Sequence, residues 1–274
     1  MKKIFISILF VFCLLISCGD DNPTNNSGVE KYPTKLNMEW EYNTNTVIEY
    51  YDTLGNIIDS DNLDIGNTIA KIINTKETLN SYKNLVKFEC YDVQTLNNKN
   101  YDWYANSDSG LFLVAYSNAG STQWVIPKIN SSRYHTIDEL FSIIKSPAPD
   151  FLTSSTSNPM DSIIYYTIPR QALAYPLTIN KSWIELVYPW YRERYVEKIV
   201  TEFFQGQPVK CYIIKVNWSG YDIEINDYIS LEKGLIKREI LADSVIITTP
   251  ANPDSGGFGR ISSYSNLVRI SDED

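Results

Sequence analysis

Histidine is almost absent from this chain, which has a single imidazole, His135, in 274 residues. One histidine excludes a His-rich metal site and any mechanism with paired histidines. A Ser-His-Asp triad would have to use His135, yet no G-x-S-x-G turn is present to hold its serine. The phosphate-binding patterns G-x-x-x-x-G-K-[ST] and G-x-G-x-x-G are also missing. We therefore expect no enzyme activity, no cofactor and no metal. A glycosidase stays open, because it needs only two carboxylates whose separation a sequence does not show.

Basic charge is scarce as well. No run of Lys or Arg is longer than two residues, and the formal net charge is −9. Nucleic acids and anionic headgroups are bound through a basic stripe or patch, which an acidic chain of this kind lacks. We expect no nucleic-acid partner.

Long apolar runs are absent except near the N-terminus, where one extends from Ile4 to Ile16. It is too short to span a bilayer, which takes about 20 residues. Lys2 and Lys3 precede it, and a small residue before Cys18 follows it, so the segment has the three parts of an export signal. The sequence Leu15-Ile16-Ser17-Cys18 resembles the lipobox of bacterial lipoproteins.

That resemblance implies lipidation of Cys18 and removal of residues 1–17, which takes away Lys2 and Lys3 and changes the formal charge from −9 to −11. Several acyl chains on one residue hold a protein stably on a membrane. The next residues, Gly19-Asp20-Asp21, resemble the surface-export signal of Bacteroidota lipoproteins. The implied location is the cell envelope and the outer membrane, with the periplasmic and the surface face both open.

Residues 18–31 predict a flexible tether, because residues 19–31 contain Val29 as their only large apolar residue and cannot bury enough surface to order. Cys90 and Cys211 are the two cysteines beyond the lipidated one. A disulfide between them is allowed in an oxidising compartment, although two buried small hydrophobic residues on strands is the favoured interpretation.

The two halves of the chain share a repeated pattern. Tyr32-Pro33 with Asn37 and Trp40 returns as Tyr175-Pro176 with Asn180 and Trp183. Three further anchors keep their order: Ala70–Ile73 with Glu197–Val200, Cys90-Tyr91 with Cys211-Tyr212, and Tyr104…Gly110-Leu111 with Tyr228…Gly234-Leu235. The pattern favours a tandem duplication, although two copies are too few for a solenoid.

Within each copy, β-branched and aromatic runs alternate with Gly- and Pro-bearing turns, as in the segment 194–218. The sequence therefore predicts a mainly β protein of two similar, strongly curved antiparallel modules. We place module 1 at 32–145, a connector at 146–161 and module 2 at 162–274. One short helix is predicted over 137–145, where Thr136 and Glu139 form a capping box. Residues 250–259 are predicted to be a loop before a last strand at 261–270.

Two local features are candidate ligand contacts. Tyr188, Trp190 and Tyr191 surround Pro189 in a predicted loop, where they are either packing residues or a contact surface for a ligand. Residues 59–64 alternate oxygen-bearing side chains as a calcium loop does. Leu63 at the fifth position and Ala70 at the twelfth supply no carboxylate, so the EF-hand pattern fails.

Together these features resemble outer-membrane lipoproteins of the Bacteroidota, without indicating a specific functional family. We expect a non-catalytic binding or assembly module, held on the membrane by its lipid anchor, with a protein, lipid or glycan ligand. The alternative is a glycan-binding or glycan-active surface lipoprotein, which would use the aromatic loop with nearby carboxylates such as Glu185 and Glu193.

Overall fold

The described part of the chain is almost entirely β-strand. A computed structural model describes residues 28–95, 99–119, 163–187, 191–218, 223–249 and 252–272. Within these ranges there is no helix long and apolar enough to cross a membrane. A short 3₁₀ turn, Val93–Thr95, follows the third strand. The strands are β1 (Met38–Tyr51), β2 (Ile57–Leu79), β3 (Tyr82–Asp92), β4 (Lys99–Ser107), β5 (Gly110–Ala119), β6 (Ile163–Ala174), β7 (Ser182–Leu186), β8 (Arg192–Phe204), β9 (Gln207–Trp218), β10 (Ile223–Ser230), β11 (Gly234–Thr249) and β12 (Asn252–Asp272).

All twelve strands belong to one antiparallel sheet, in the order β6-β5-β4-β3-β2-β1-β12-β11-β10-β9-β8-β7. Two six-stranded meanders, β1–β6 and β7–β12, therefore lie side by side and are joined through β1 and β12. The prediction of a mainly antiparallel β fold with two similar modules is confirmed, and the two modules share one continuous sheet. Strand β6, which the sequence analysis placed in module 2, pairs with β5 of the first meander. The predicted helix at 137–145 and the connector at 146–161 lie outside the described residues.

The repeated motif forms the same turn at the start of each meander. Asn37 and Asn180 both adopt a left-handed backbone, with φ of 64° and 66°. One residue later, the amide of Met38 donates to the Lys35 carbonyl and that of Lys181 donates to the Thr178 carbonyl. Asparagine tolerates this conformation better than most residues. The tryptophan pair lies on the first strand of each meander, the cysteine pair on the third and the Gly-Leu pair at the start of the fifth.

The sheet is curved so strongly that its two outer strands, β6 and β7, meet. The Trp183 indole N–H donates to the Gln171 carbonyl at 2.9 Å, and an Arg170–Glu185 ion pair lies beside it. The concave side is filled by two apolar clusters. The larger contains Trp40, Tyr42 and other fully buried residues, and the smaller contains Ile48 with residues of β9 to β12.

The two ends of the sheet differ. At one end, which we call the tether end, residues 28–37 enter and tight turns join β2 to β3, β4 to β5, β8 to β9 and β10 to β11. There the Tyr32 amide donates to the Tyr175 hydroxyl at 2.8 Å, and the Trp40 indole donates to the Lys233 carbonyl at 2.6 Å. The opposite end, the distal end, carries the hairpins β1–β2 and β11–β12; β5 and β7 end there, and β6 and β8 begin there.

Strand β12 is longer than the sequence predicts. Strand β12 begins at Asn252, so most of the predicted loop at 250–259 is instead paired with β11. Its glycines and proline are typical of loops, which is why the sequence predicts one here. Antiparallel pairing tolerates such residues where one strand edge faces away from the rest of the sheet.

Candidate functional site

A cluster of six charged side chains crosses the interior between the two apolar clusters. Each of these residues is at most 4% exposed. They come from five strands and comprise Arg170 of β6, Glu185 of β7, Arg192 and Arg194 of β8, Asp227 of β10 and Arg238 of β11. We call them the arginine cluster.

Glu185 is the centre of the arginine cluster. Its carboxylate accepts from Arg170 Nη2 at 2.7 Å, from Arg194 Nε at 2.6 Å and from Arg192. Burial alone would raise the pKa of this carboxyl, but the charges of Arg192, Arg194 and Arg170 outweigh it and hold the pKa well below the usual value. Glu185 is therefore ionised throughout the physiological range.

Asp227 forms the second half of the arginine cluster. It accepts from Arg238 Nε at 2.6 Å and from Arg194 Nη1 at 3.2 Å, so Arg194 bridges the two carboxylates. On the adjoining strands, hydroxyl side chains lie at the same level of the sheet as the arginine cluster. Thr44 Oγ1 lies 2.8 Å from Ser265 Oγ, next to Arg238 in the strand register.

The arginine cluster holds the two outer strands of the sheet together and does not form a carboxylate pair for sugar chemistry. A carboxylate bound by three guanidinium groups is a poor general acid or nucleophile, because protonation or attack would break those ion pairs. Glu193, the second carboxylate considered for a glycan-active site, alternates with the inward-facing Arg192 and Arg194 along β8. Glu185 and Glu193 thus lie on opposite faces of the sheet.

None of the four arginines of the arginine cluster is among the site residues predicted from the sequence. A sequence signal for two of them was present. Arg192 and Arg194 alternate along β8 with the same spacing as Val196, which is an obvious core residue. Alternation therefore places both guanidinium groups on the buried face of β8.

Of the predicted aromatic contacts, Tyr191 immediately precedes β8 at the distal end and is 41% exposed. Tyr188 and Trp190 lie outside the described residues, as do Cys18 and His135. The guanidinium of Arg192, which follows Tyr191 in the chain, is 5.4 Å from the centre of the Trp218 ring.

Cys90 and Cys211 are free and buried on β3 and β9. Burial raises the pKa of the Cys90 thiol well above its usual value and that of Cys211 to about 12. Both thiols are therefore protonated at neutral pH, which makes them unreactive.

The segment 59–64 belongs to β2 and not to a metal loop. Asp61 accepts from the Tyr50 hydroxyl at 2.6 Å, while Asp59 accepts from the Ser60 amide and Asp64 from the Gly66 amide. The described ranges contain no group of three or more His, Cys, Asp or Glu residues that could hold a metal ion.

At the distal end, four strands continue past the core in the order β2-β1-β12-β11. We call residues 49–64 and 243–260 the arm. Its base is marked by Ile48, Ile261 and Ala242, which are paired across the strands and buried. Beyond Ala242, β11 continues for seven residues, or about 23 Å.

The arm is acidic and its β1–β2 tip is apolar. Its residues include seven carboxylates and one guanidinium, a formal charge of −6 out of −9 for the chain. Leu54, Ile57 and Ile58 at the tip are 85%, 55% and 65% exposed. An exposed apolar group of this kind, ringed by charge, is typical of an interaction surface.

A shallow cavity of about 370 Å³ lies at the tether end. Both signs of charge are present in its lining, which consists of Glu30, Lys31, Lys210, Tyr212, Ser230, Leu231 and Glu232. Because two of these residues begin the described chain, the cavity marks the place where the predicted tether joins the body.

No family model and no curated protein matches the chain. Two solved structures are similar over 89% of its length. One is a candidate lipoprotein from Parabacteroides distasonis, with 13% identity, 99% of that chain covered and a TM-score of 0.33. The other is a candidate exported protein with a YmcC-like fold from Bacteroides fragilis, with 11% identity, 100% of that chain covered and a TM-score of 0.31. Likeness at this level does not transfer a function.

Proposed function

We propose that this protein is a lipid-anchored protein of the bacterial cell envelope, which binds a partner through the distal end of its sheet and catalyses no reaction. Lipidation at Cys18 and residues 18–31 would hold the tether end near the membrane. The outer membrane is the proposed location.

The difference between the two ends of the sheet is the observation that carries this proposal. The turns that join paired strands at the tether end are short, whereas the arm and Tyr191 lie at the distal end. Binding residues are concentrated on connections that a rigid scaffold presents on one side. The interior supports a scaffold role, since Trp40, Tyr42, Phe88 and Tyr104 fill it with side chains at most 2% exposed.

Site-specific photo-crosslinking tests which end binds. A photo-crosslinking amino acid replaces either Ile58 in the arm or Phe203 at the tether end, in the full-length protein in its native envelope. The two side chains are similarly exposed, at 65% and 73%, so Phe203 is a matched control. Adducts at Ile58 and none at Phe203 are expected. Adducts confined to Phe203 would contradict binding at the distal end.

The non-catalytic part of the proposal has its own test. Purified protein incubated with a panel of polysaccharides should release no sugar, and sustained turnover of any of them would overturn the proposal. Glycan-array binding that is lost on Tyr191→Ala would instead favour the glycan-binding alternative.

A further inference from the structure

Within the part of the chain that the structure describes, the outer edge of β2 has no partner strand in the arm. Strand β3 pairs with β2 only from Thr68 onward, so among the described residues no strand lies against the outer edge of 57–67. The side chain of Gln94 lies beside Gly66, so the part of the edge with neither this cover nor a described strand neighbour extends from Ile57 to Asp64. A row of unpaired N–H and C=O groups is a template for an added strand.

The charge next to this edge determines which kind of strand can pair with it. Asp59, Asp61 and Asp64 are exposed, and none of them forms an ion pair with a described residue. Residues 49–64 contain five carboxylates and no Lys or Arg. The arm of a second copy of this chain would bring another formal charge of −6 next to the first arm, and like charges on neighbouring strands repel. The acidic edge therefore opposes self-pairing.

The strand register also determines where the charges point. Asp61 is paired with the inward-facing Ile48 and Asp59 with Tyr50, so both carboxylates lie on the concave face above the core. Cross-strand partners are neighbours on one face. An added strand would bring residues two apart next to these carboxylates, and apolar residues at its end next to Ile57 and Ile58.

We infer that the arm binds a cationic polypeptide, which adds a strand to the β2 edge between Ile57 and Asp64 and places Lys or Arg side chains opposite Asp59 and Asp61. This inference rests on the proposed function, since it names the chemistry of the partner at the distal end. Backbone hydrogen bonds would supply part of the affinity, and complementary charge would supply the specificity.

A defined peptide tests the inference on the full-length mature protein in neutral detergent micelles. The probe is a fluorescent nine-residue peptide that alternates lysine with valine or threonine, and binding is followed by anisotropy. Two reference peptides accompany it: one with glutamate in place of lysine, and one with alternate amides N-methylated. Saturable binding of the first peptide alone is expected, and it should weaken as ionic strength rises.

Charge-neutral variants locate the binding. The double variant Asp59→Asn with Asp61→Asn should lower the affinity for the lysine peptide by about tenfold, since two exposed ion pairs are lost. The control, Glu224→Gln with Glu232→Gln, removes two exposed carboxylates elsewhere and should change affinity by no more than about twofold. Equal binding of the N-methylated peptide would overturn strand addition. Equal loss in both double variants would overturn the site.

The outcomes separate this inference from the proposed function. If Ile58 crosslinks to a partner while the lysine peptide fails to bind, the distal end binds something of other chemistry and only the inference is wrong. Sedimentation would also detect dimers of this chain. If Asp59→Asn with Asp61→Asn makes dimers more stable, the arm pairs with a second copy, and the inference is wrong. Peptide binding at the arm without any crosslink at Ile58 in the envelope would count against the proposed function alone.

Discussion

Replacing Glu185 by glutamine should destabilise the protein more than replacing any other charged side chain of the sheet by a neutral one. The change keeps the volume of the side chain and removes its charge. Arg170, Arg192 and Arg194 would then remain buried with Asp227 as the sole carboxylate of the arginine cluster.

The size of the effect follows from burial. Removing one partner from a buried ion pair costs about 3–5 kcal/mol, because the other charge stays desolvated without compensation. Three guanidinium groups share Glu185, whose side chain is 0% exposed, so we expect the upper part of that range. For a domain of this size, 1 kcal/mol shifts the melting temperature by roughly 2–4 °C, and the midpoint should fall by about 10 °C or more.

Urea unfolding followed by tryptophan fluorescence measures the effect, with Glu193→Gln on the outer face of the same sheet as the control. The control should change the free energy of unfolding by no more than about 0.5 kcal/mol. A loss below about 1 kcal/mol in Glu185→Gln, or a loss equal to that of the control, would refute the reasoning.

The same variant gives a pH test of defined sign. The pKa of Glu185 is lowered in the folded state, so its contribution is complete above the unfolded pKa of about 4.3 and is lost as the pH falls toward the folded value. The difference in unfolding free energy between the natural protein and Glu185→Gln should therefore be constant near neutral pH. It should shrink below about pH 4.3, and a difference that grows there would contradict the assignment.

Three further predictions concern the backbone, the anchor and the thiols. Gly234→Ala should cost at least about 1 kcal/mol in urea unfolding, because φ is +93° and a new Cβ would lie 2.8 Å from an indole nitrogen, whereas Gly206→Ala, which meets no atom within 4 Å, should cost less. Cys18→Ala should abolish palmitate labelling and release the protein from membranes, and unchanged membrane association would refute lipidation. Cys90 and Cys211 should not react with a thiol reagent until the protein is unfolded, and rapid labelling of the native protein would contradict their burial.

The meanders could be predicted from sequence because their signals are local. Alternating β-branched residues and the Gly- and Pro-bearing turns mark β8 and β9, and the structure places strands at Arg192–Phe204 and Gln207–Trp218. The repeat was visible because Asn37 and Asn180 meet the same left-handed requirement in both copies.

The arginine cluster could not be predicted as a unit, because the contact that joins its two halves lies between strands that do not follow each other in the chain. Arg194 and Asp227 are 33 residues apart, and they meet only because β8, β9 and β10 are neighbours in the sheet. Pairing of β1 with β12 was equally hidden, since no local pattern links the first described strand with the last. The arm follows from that pairing, which carries both hairpins past the core.

The joint between β1 and β12 has a consequence for how the chain reaches its native state. Met38 pairs with Asp272, a separation of 234 residues, although the two strands lie in the middle of the sheet. Each meander can form from neighbouring hairpins as it emerges, but the central ladder has to wait for the last strand to be synthesised. Non-local pairing of this kind slows folding and leaves strand edges exposed in the meantime. A protein exported through a membrane would thus complete its central pairing only after its whole length has crossed.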